Sequence, residues 1–215
     1  MAAGVTSRYD EQGLPRPDFA LADLFRARLG ASPLGKPASL ERRRARGNHR
    51  TYLRLAPELR GRVGGPGTGK EPAVQRERHP VLKGSDETDI LPFGGMLAPL
   101  EVDVWALEPL TFIPEFPVYP PETSWMREER TGIPGMVLSS HPAGGRVAVL
   151  PADIDRRYDR GFLPDHGELL SNVVRWAARD AIPLHVEGRG LLDCHLYRQP
   201  ERMILHLVNL TNEAA

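Results

Sequence analysis

The strongest chemical pattern in the chain is Gly64-Gly65-Pro66-Gly67-Thr68-Gly69-Lys70. Its spacing fits a phosphate-cradling P-loop as far as the lysine. That chemistry next requires a Ser or Thr hydroxyl for magnesium, but the following residue is Glu71, whose charge repels phosphate. It also requires a buried strand before the loop and a helix start behind it. Glu58-Leu59-Arg60-Gly61-Arg62 is no buried strand, and Pro72 follows at once. The segment reads as a surface loop, with nucleotide binding through Lys70 as the rival reading.

Asp153, Asp155, Asp159 and Asp165 follow an apolar run, where strand-end loops often carry sites. A hydrolase needs an acid and a base or nucleophile at fixed separation. Arg156, Arg157 and Arg160 are interleaved, so a salt-bridged loop is the simpler expectation. The seven histidines show no HExxH and no pair on one helix face, so no metal site and no cofactor are expected. There is no G-x-S-x-G elbow, and the adjacency of Ser139, Ser140 and His141 does not make a triad. Cys194, the one cysteine, excludes an internal disulfide and sits in an alternating segment, as a packed thiol would. Trp105, Phe112, Phe116, Tyr119 and Trp125 flank a proline-rich stretch. Such rings either stack on a sugar or fill an interface or core.

The elements around these residues are short. Proline, at 21 of 215 residues, is about twice as frequent as usual, and glycine also numbers 21. Pro17, Asp18 and Gly30 bracket a helix over 17–29 with Leu21, Leu24, Phe25 and Leu29 at helical spacing. Residues 31–80 are irregular and include an arginine run at 42–46 and a loop at 61–72. Tyr52, Leu53 and Leu55 suggest a strand there. Pro92 to Gly95 reads as a tight turn, 100–106 as a half-buried strand, and 109–121 as proline-rich with little regular structure. Gly135–Ser139 and Arg146–Leu150 read as neighbouring strands, the second buried on both faces. The clearest helix is 165–179, with Leu169, Leu170, Val173, Val174, Trp176 and Ala177 on its apolar face. Three strands are expected after Pro183, at 184–187, 191–197 and 203–209.

Formal net charge is zero, which gives no bulk attraction to nucleic acid or membrane. The zero hides an asymmetry: 16 basic against 8 acidic side chains in residues 1–80, and 12 against 20 in 81–215. No long apolar span or leader pattern is visible, so a cytoplasmic location is the default expectation.

Several segments together carry a family resemblance. They are Thr6-Ser7-Arg8-Tyr9-Asp10-Glu11, Arg16-Pro17-Asp18-Phe19-Ala20-Leu21-Ala22-Asp23-Leu24-Phe25, His79-Pro80-Val81-Leu82-Lys83-Gly84 and Thr88-Asp89-Ile90-Leu91-Pro92-Phe93-Gly94-Gly95. Further along come Trp125-Met126-Arg127-Glu128, Pro164-Asp165-His166-Gly167, Asn172-Val173-Val174-Arg175-Trp176-Ala177 and His206-Leu207-Val208-Asn209-Leu210-Thr211-Asn212. The chain thereby resembles the region after the catalytic barrel in hypothetical glycoside hydrolases with a β-galactosidase trimerisation-type domain. The resemblance implies an α/β fold of class I glutamine-amidotransferase (flavodoxin-like) type, a parallel sheet between helices, without the Cys–His machinery. It implies a partial accessory domain over 1–182 and the start of a β-rich domain over 183–215. The hydrolytic carboxylates would lie on an upstream barrel of roughly 250 residues, and the accessory domain's first strands would precede Met1. No catalytic residue of the family falls on this sequence.

The expectation is therefore a non-catalytic accessory or oligomerisation domain in carbohydrate metabolism, a homo-oligomer (a trimer by the resemblance), facing carbohydrate. Tyr9, Asp10, Glu11 and Arg16 are the candidate substrate-wall residues, because their side chains can hydrogen-bond hydroxyls. The rival from another class is a stand-alone hydrolase or amidotransferase-like enzyme.

Overall fold

The structure, a computed structural model, describes residues 2–3, 6–30, 51–56, 79–85, 90–114, 116, 119–124, 131–188 and 190–211. The chain divides into two compact units, Met1–Ala177 and Ala178–Ala215.

In the first unit the chain order is β1 (Ala2–Ala3), α1 (Ala22–Phe25), β2 (Ala27–Leu29), β3 (Tyr52–Leu55), β4 (Ile90–Pro92), β5 (Leu100–Val102), β6 (Leu107–Ile113), β7 (Pro134–Ser140), β8 (Arg146–Leu150), α2 (Ile154–Gly161) and α3 (Pro164–Ala177). Six strands form one sheet in the order β1-β8-β7-β6-β3-β4, while β2 and β5 form a separate ribbon. Only β1 and β8 are parallel among the described pairs of the sheet; the other four are antiparallel. The expected parallel, flavodoxin-like sheet is thus overturned. The reason lies in the connection: residues 141–145 are too few for a parallel crossover, which takes a dozen or more. Ser140 therefore pairs with Arg146 and Val137 with Val149 as a hairpin.

Side-chain alternation sorts the sheet into two faces. Met136, Leu138, Ala148 and Leu150 join Leu53, Leu55 and Leu110 under α3, which contributes Leu169, Val173 and Trp176. Val137 and Val149 point the other way and meet Phe19, Ala22, Phe25 and Ala27. Each large apolar side chain buried in these layers contributes roughly 1.5–3 kcal/mol. Gly135 lets β7 lie close to its neighbours, since a Cβ there would meet Leu53 Cδ2 at 2.8 Å.

Other expectations shift in detail. The helix expected over 17–29 is only α1. Arg26 turns left-handed (φ 55°), and residues 27–29 run back as β2. The exposed Leu21 and Leu24 are not its core face; Phe19, Ala22 and Phe25 are. The stretch from 109 belongs in part to β6, whose register slips between Leu107 and Leu110. That irregularity accommodates Pro109 inside a strand. The loop expected after Asp153 is α2, with Asp155 in its first turn and Arg160 in its last, as the helix dipole favours. α3 begins with Pro164, a residue suited to a first turn.

In the second unit, β9 (Leu192–Arg198) and β10 (Met203–Asn209) form an antiparallel hairpin, and Gln199 N donates to Arg202 O across its turn at 2.8 Å. Residues 184–187, expected as a strand, carry no regular structure.

Candidate functional site

The four residues expected to form a substrate wall lie on one small hairpin. Tyr9 bridges Pro15, and Arg16 N donates to Arg8 O at 2.8 Å. Asp10 closes the turn: its Oδ1 accepts from Gln12 N at 3.0 Å and from Leu14 N at 2.8 Å. Gly13 completes the reversal with φ 79°. Asp10 is therefore a turn-former, its carboxylate committed to the backbone. Tyr9 is exposed, and Arg16 reaches Glu11 at 3.8 Å and the Tyr9 carbonyl at 3.5 Å. Tyr9, Glu11 and Arg16 thus present outward from a turn that Asp10 pre-forms.

A second polar surface lies between α1 and the β2–β5 ribbon. It is an open cleft of about 580 Å³ lined by Asp23, Arg26, Arg28, Glu101, Asp103 and Val104, with Ala22, Ala27 and Val102 at its base. The period-two pattern of the ribbon explains the lining. Ala27 and Val102 are paired and belong to the apolar layer, so their neighbours Arg28 and Glu101, also paired, face outward. Arg28 bridges Asp18 at 3.2 Å and Asp23 at 3.0 Å, and Arg26 lies 3.6 Å from Asp103. Asp18 also accepts Phe19 N and Leu29 N, both at 2.8 Å. Partial burial alone would raise the Asp18 pKa, but these N–H donors and Arg28 outweigh it and hold the carboxyl below 3.8. Asp103 Oδ1 accepts Trp105 N at 2.9 Å, fixing a turn that leaves Val104 89% and Trp105 81% exposed. Sequence reasoning missed this cleft. Its signal was the alternation Arg26-x-Arg28 facing Glu101-x-Asp103.

The carboxylates that follow β8 do something different. Asp153 is buried, and its Oδ1 accepts Met96 N at 2.7 Å while Arg156 approaches Oδ2 at 3.5 Å. Burial pushes the Asp153 carboxyl above 3.8, against the opposing pull of Met96 N–H and the arginines. Arg157 donates to Phe93 O at 2.9 Å, His166 to Pro92 O at 2.7 Å, and Gly94 N to Thr51 Oγ1 at 2.9 Å. These side chains clamp the Pro92–Met96 turn onto the end of the sheet. Gly95 is required there because a Cβ would collide with Asp153 Oδ1 and the Phe93 ring. Ser139 Oγ and His141 Nε2 both donate to the Leu24 carbonyl, at 3.3 and 2.8 Å, which ties α1 to β7. His79 Nδ1 accepts Val81 N at 3.3 Å; burial, then Arg146, keeps its pKa below 6.5. Ser139, His141 and, of the four aspartates, Asp153 thus serve as backbone clamps.

The aromatic set divides. Phe112 packs edge-on against Phe93 in the core, Phe116 stacks on Tyr52, and Trp105 and Tyr119 stand exposed. Cys194 is half-buried within β9. The Gly64–Lys70 loop, the arginine run at 42–46 and Trp125 lie outside the described residues. No group of three or more metal-ligating side chains occurs among the described residues, and no helix among them is long and apolar enough to cross a membrane.

Comparison with known proteins finds no matching family model, no matching curated protein and no matching solved structure.

Proposed function

We propose that this chain is a non-catalytic, carbohydrate-facing assembly domain of a glycoside-hydrolase-like protein. The observation that carries the reading is the hairpin from Tyr9 to Arg16, a turn pre-formed by Asp10 that holds Tyr9, Glu11 and Arg16 outward. A backbone turn formed before binding lowers the entropy cost of bringing a phenol, a carboxylate and a guanidinium to hydroxyl groups. The use of Asp153, His166, Ser139 and His141 as backbone clamps supports a binding role over a catalytic one. The sequence resemblance to trimerisation-type domains supplies the assembly part.

The test combines light scattering of the chain over a concentration series with titrations of lactose and methyl β-galactoside. A mass above one chain and saccharide binding weakened about fivefold or more by Tyr9→Ala are expected, a loss of about 1 kcal/mol. A chain that stays monomeric and binds neither sugar sinks the proposal. Hydrolysis of either sugar by the purified chain overturns its non-catalytic part.

A further inference from the structure

We infer that β10 is an assembly edge, pairing antiparallel with β10 of a second copy of this chain about a two-fold axis at His206. The inference rests on the assembly part of the proposed function and uses no saccharide contact.

The hairpin's own hydrogen bonds show which backbone groups are spare. Gln199 N donates to Arg202 O, and Leu210 N to Leu191 O, both at 2.8 Å. In an antiparallel ladder such bonded pairs alternate with unbonded ones. Ile204 lies opposite Tyr197, His206 opposite His195 and Val208 opposite Asp193. By that alternation Ile204, His206 and Val208 direct their N–H and C=O groups towards β9. Met203, Leu205, Leu207 and Asn209 direct theirs away from it. Among the described residues β10 pairs with β9 alone.

Sheets ordinarily protect such an edge with charge, proline or a bulge. β9 carries Asp193 and Arg198, but Met203–Asn209 has no Asp, Glu, Lys, Arg or proline, and its register is unbroken. Met203, Leu205, Leu207 and Val208 are between 44% and 71% exposed. An uncharged edge of this kind is matched by another uncharged strand, and β10 itself is one. Pairing β10 with its own copy over its full length sets Leu205 opposite Leu207 of the partner subunit and Ile204 opposite Val208 of the partner subunit. Met203 then meets the partner subunit's Asn209, and His206 meets itself. Every spare backbone group faces a spare group, apolar side chains meet across both faces, and no formal charge meets another.

The two-fold closes the assembly. It consumes both β10 edges and leaves the β9 strands, with their charges, outermost, so growth stops at a dimer where the resemblance implies a trimer. The seam covers seven residues, less than the roughly 800 Å² per partner of a stable complex. A dissociation constant of about 10–100 µM is therefore expected, and the dilute chain keeps a lone hairpin.

The full chain is followed by sedimentation velocity at about pH 8, where a free histidine is neutral, from about 1 to about 300 µM. Leu205→Pro removes a spare N–H but no rung of the hairpin, and should weaken dimerisation about tenfold or more. Leu205→Lys and Leu207→Glu should each stay monomeric, because each sets charge against leucine. An equimolar mixture of these two should recover the dimer, since the proposed register puts the lysine opposite the glutamate. The mixture also guards against a disturbed hairpin, because only folded strands in that register regain the mass. Charge variants that lose the dimer and do not regain it on mixing overturn the inference. A dimer or trimer whose mass ignores all three substitutions also overturns it and leaves the assembly reading standing. A wild-type chain that is monomeric throughout overturns both.

Discussion

Asp153 carries a cost that its position requires. One oxygen holds the Met96 N–H, and burial raises the carboxyl's pKa above its ordinary 3.8. A raised folded-state pKa means that the folded protein binds this proton more tightly than the unfolded chain. The group's contribution is therefore full below about pH 3.8 and is lost as pH rises through the folded value. Asp153→Asn keeps an oxygen for Met96 and removes the charge. Its melting temperature relative to the wild type should be highest near pH 7 and should fall as pH is lowered towards 4. A variant that is least stable near pH 7 would show that Arg156 more than repays the burial. Asp153→Ala, which strands the Met96 N–H, should be less stable than Asp153→Asn by about 1–3 kcal/mol at every pH. The four aspartates after β8 were visible in the sequence, but their roles were not. Only the chain path, which brings residues 92–96 beside 153–166, shows that Asp153 serves a backbone amide. The Tyr9 hairpin was legible as a group because its residues are contiguous. The Arg26 cleft was not, because its halves lie about seventy residues apart and meet only through the β2–β5 register.

At the scale of elements, β7 shows how local pattern and long-range packing divide the work. Its apolar run, and that of β8, are legible because both faces of these strands are covered. The strand direction was set by the short turn between them, a constraint that outranks the parallel expectation carried by the resemblance. β6 was hidden because Pro109 reads as a breaker, and the register slip that tolerates it is invisible in sequence. Gly135 is the reverse case, a residue that weakens a strand on its own account but is required by its neighbours. A Cβ there would meet Leu53 Cδ2 at 2.8 Å and the Leu110 carbonyl oxygen at 3.3 Å, with Leu53 fully buried. Gly135→Ala should therefore destabilise the chain by about 1–3 kcal/mol despite alanine's smaller backbone entropy loss. In a Leu53→Val background the same substitution should cost less, a coupling that a double-mutant cycle in urea would measure. Additive costs would place the strain in the strand's backbone rather than in the Leu53 contact.

For the whole molecule, stability should be unevenly spread between the two units. β7 and β8 are covered on both faces, and Met136, Val137, Ala148 and Leu150 are at or below 4% exposure with their neighbours Leu138 and Val149. Opening these strands means separating both apolar layers. The β9–β10 hairpin is a two-stranded ribbon, an architecture that is marginal on its own. On one face, Leu192, Leu205, Leu207 and Met203 are between 41% and 71% exposed. Across the strands His195 pairs with His206 on the other face, and Tyr197 contacts both rings. Those contacts bury little apolar area, so few interactions resist local opening. Native-state hydrogen exchange should accordingly show the hairpin amides of 192–198 and 203–209 exchanging through local opening, with small denaturant dependence. Amides of β7 and the adjoining β8 should exchange only through global unfolding, orders of magnitude more slowly. Equal protection of hairpin and sheet would mean that the exposed leucine face is covered in solution, and dilution would then distinguish the source. Protection lost on dilution would assign the cover to a second copy of the chain, and protection unchanged on dilution to the chain itself.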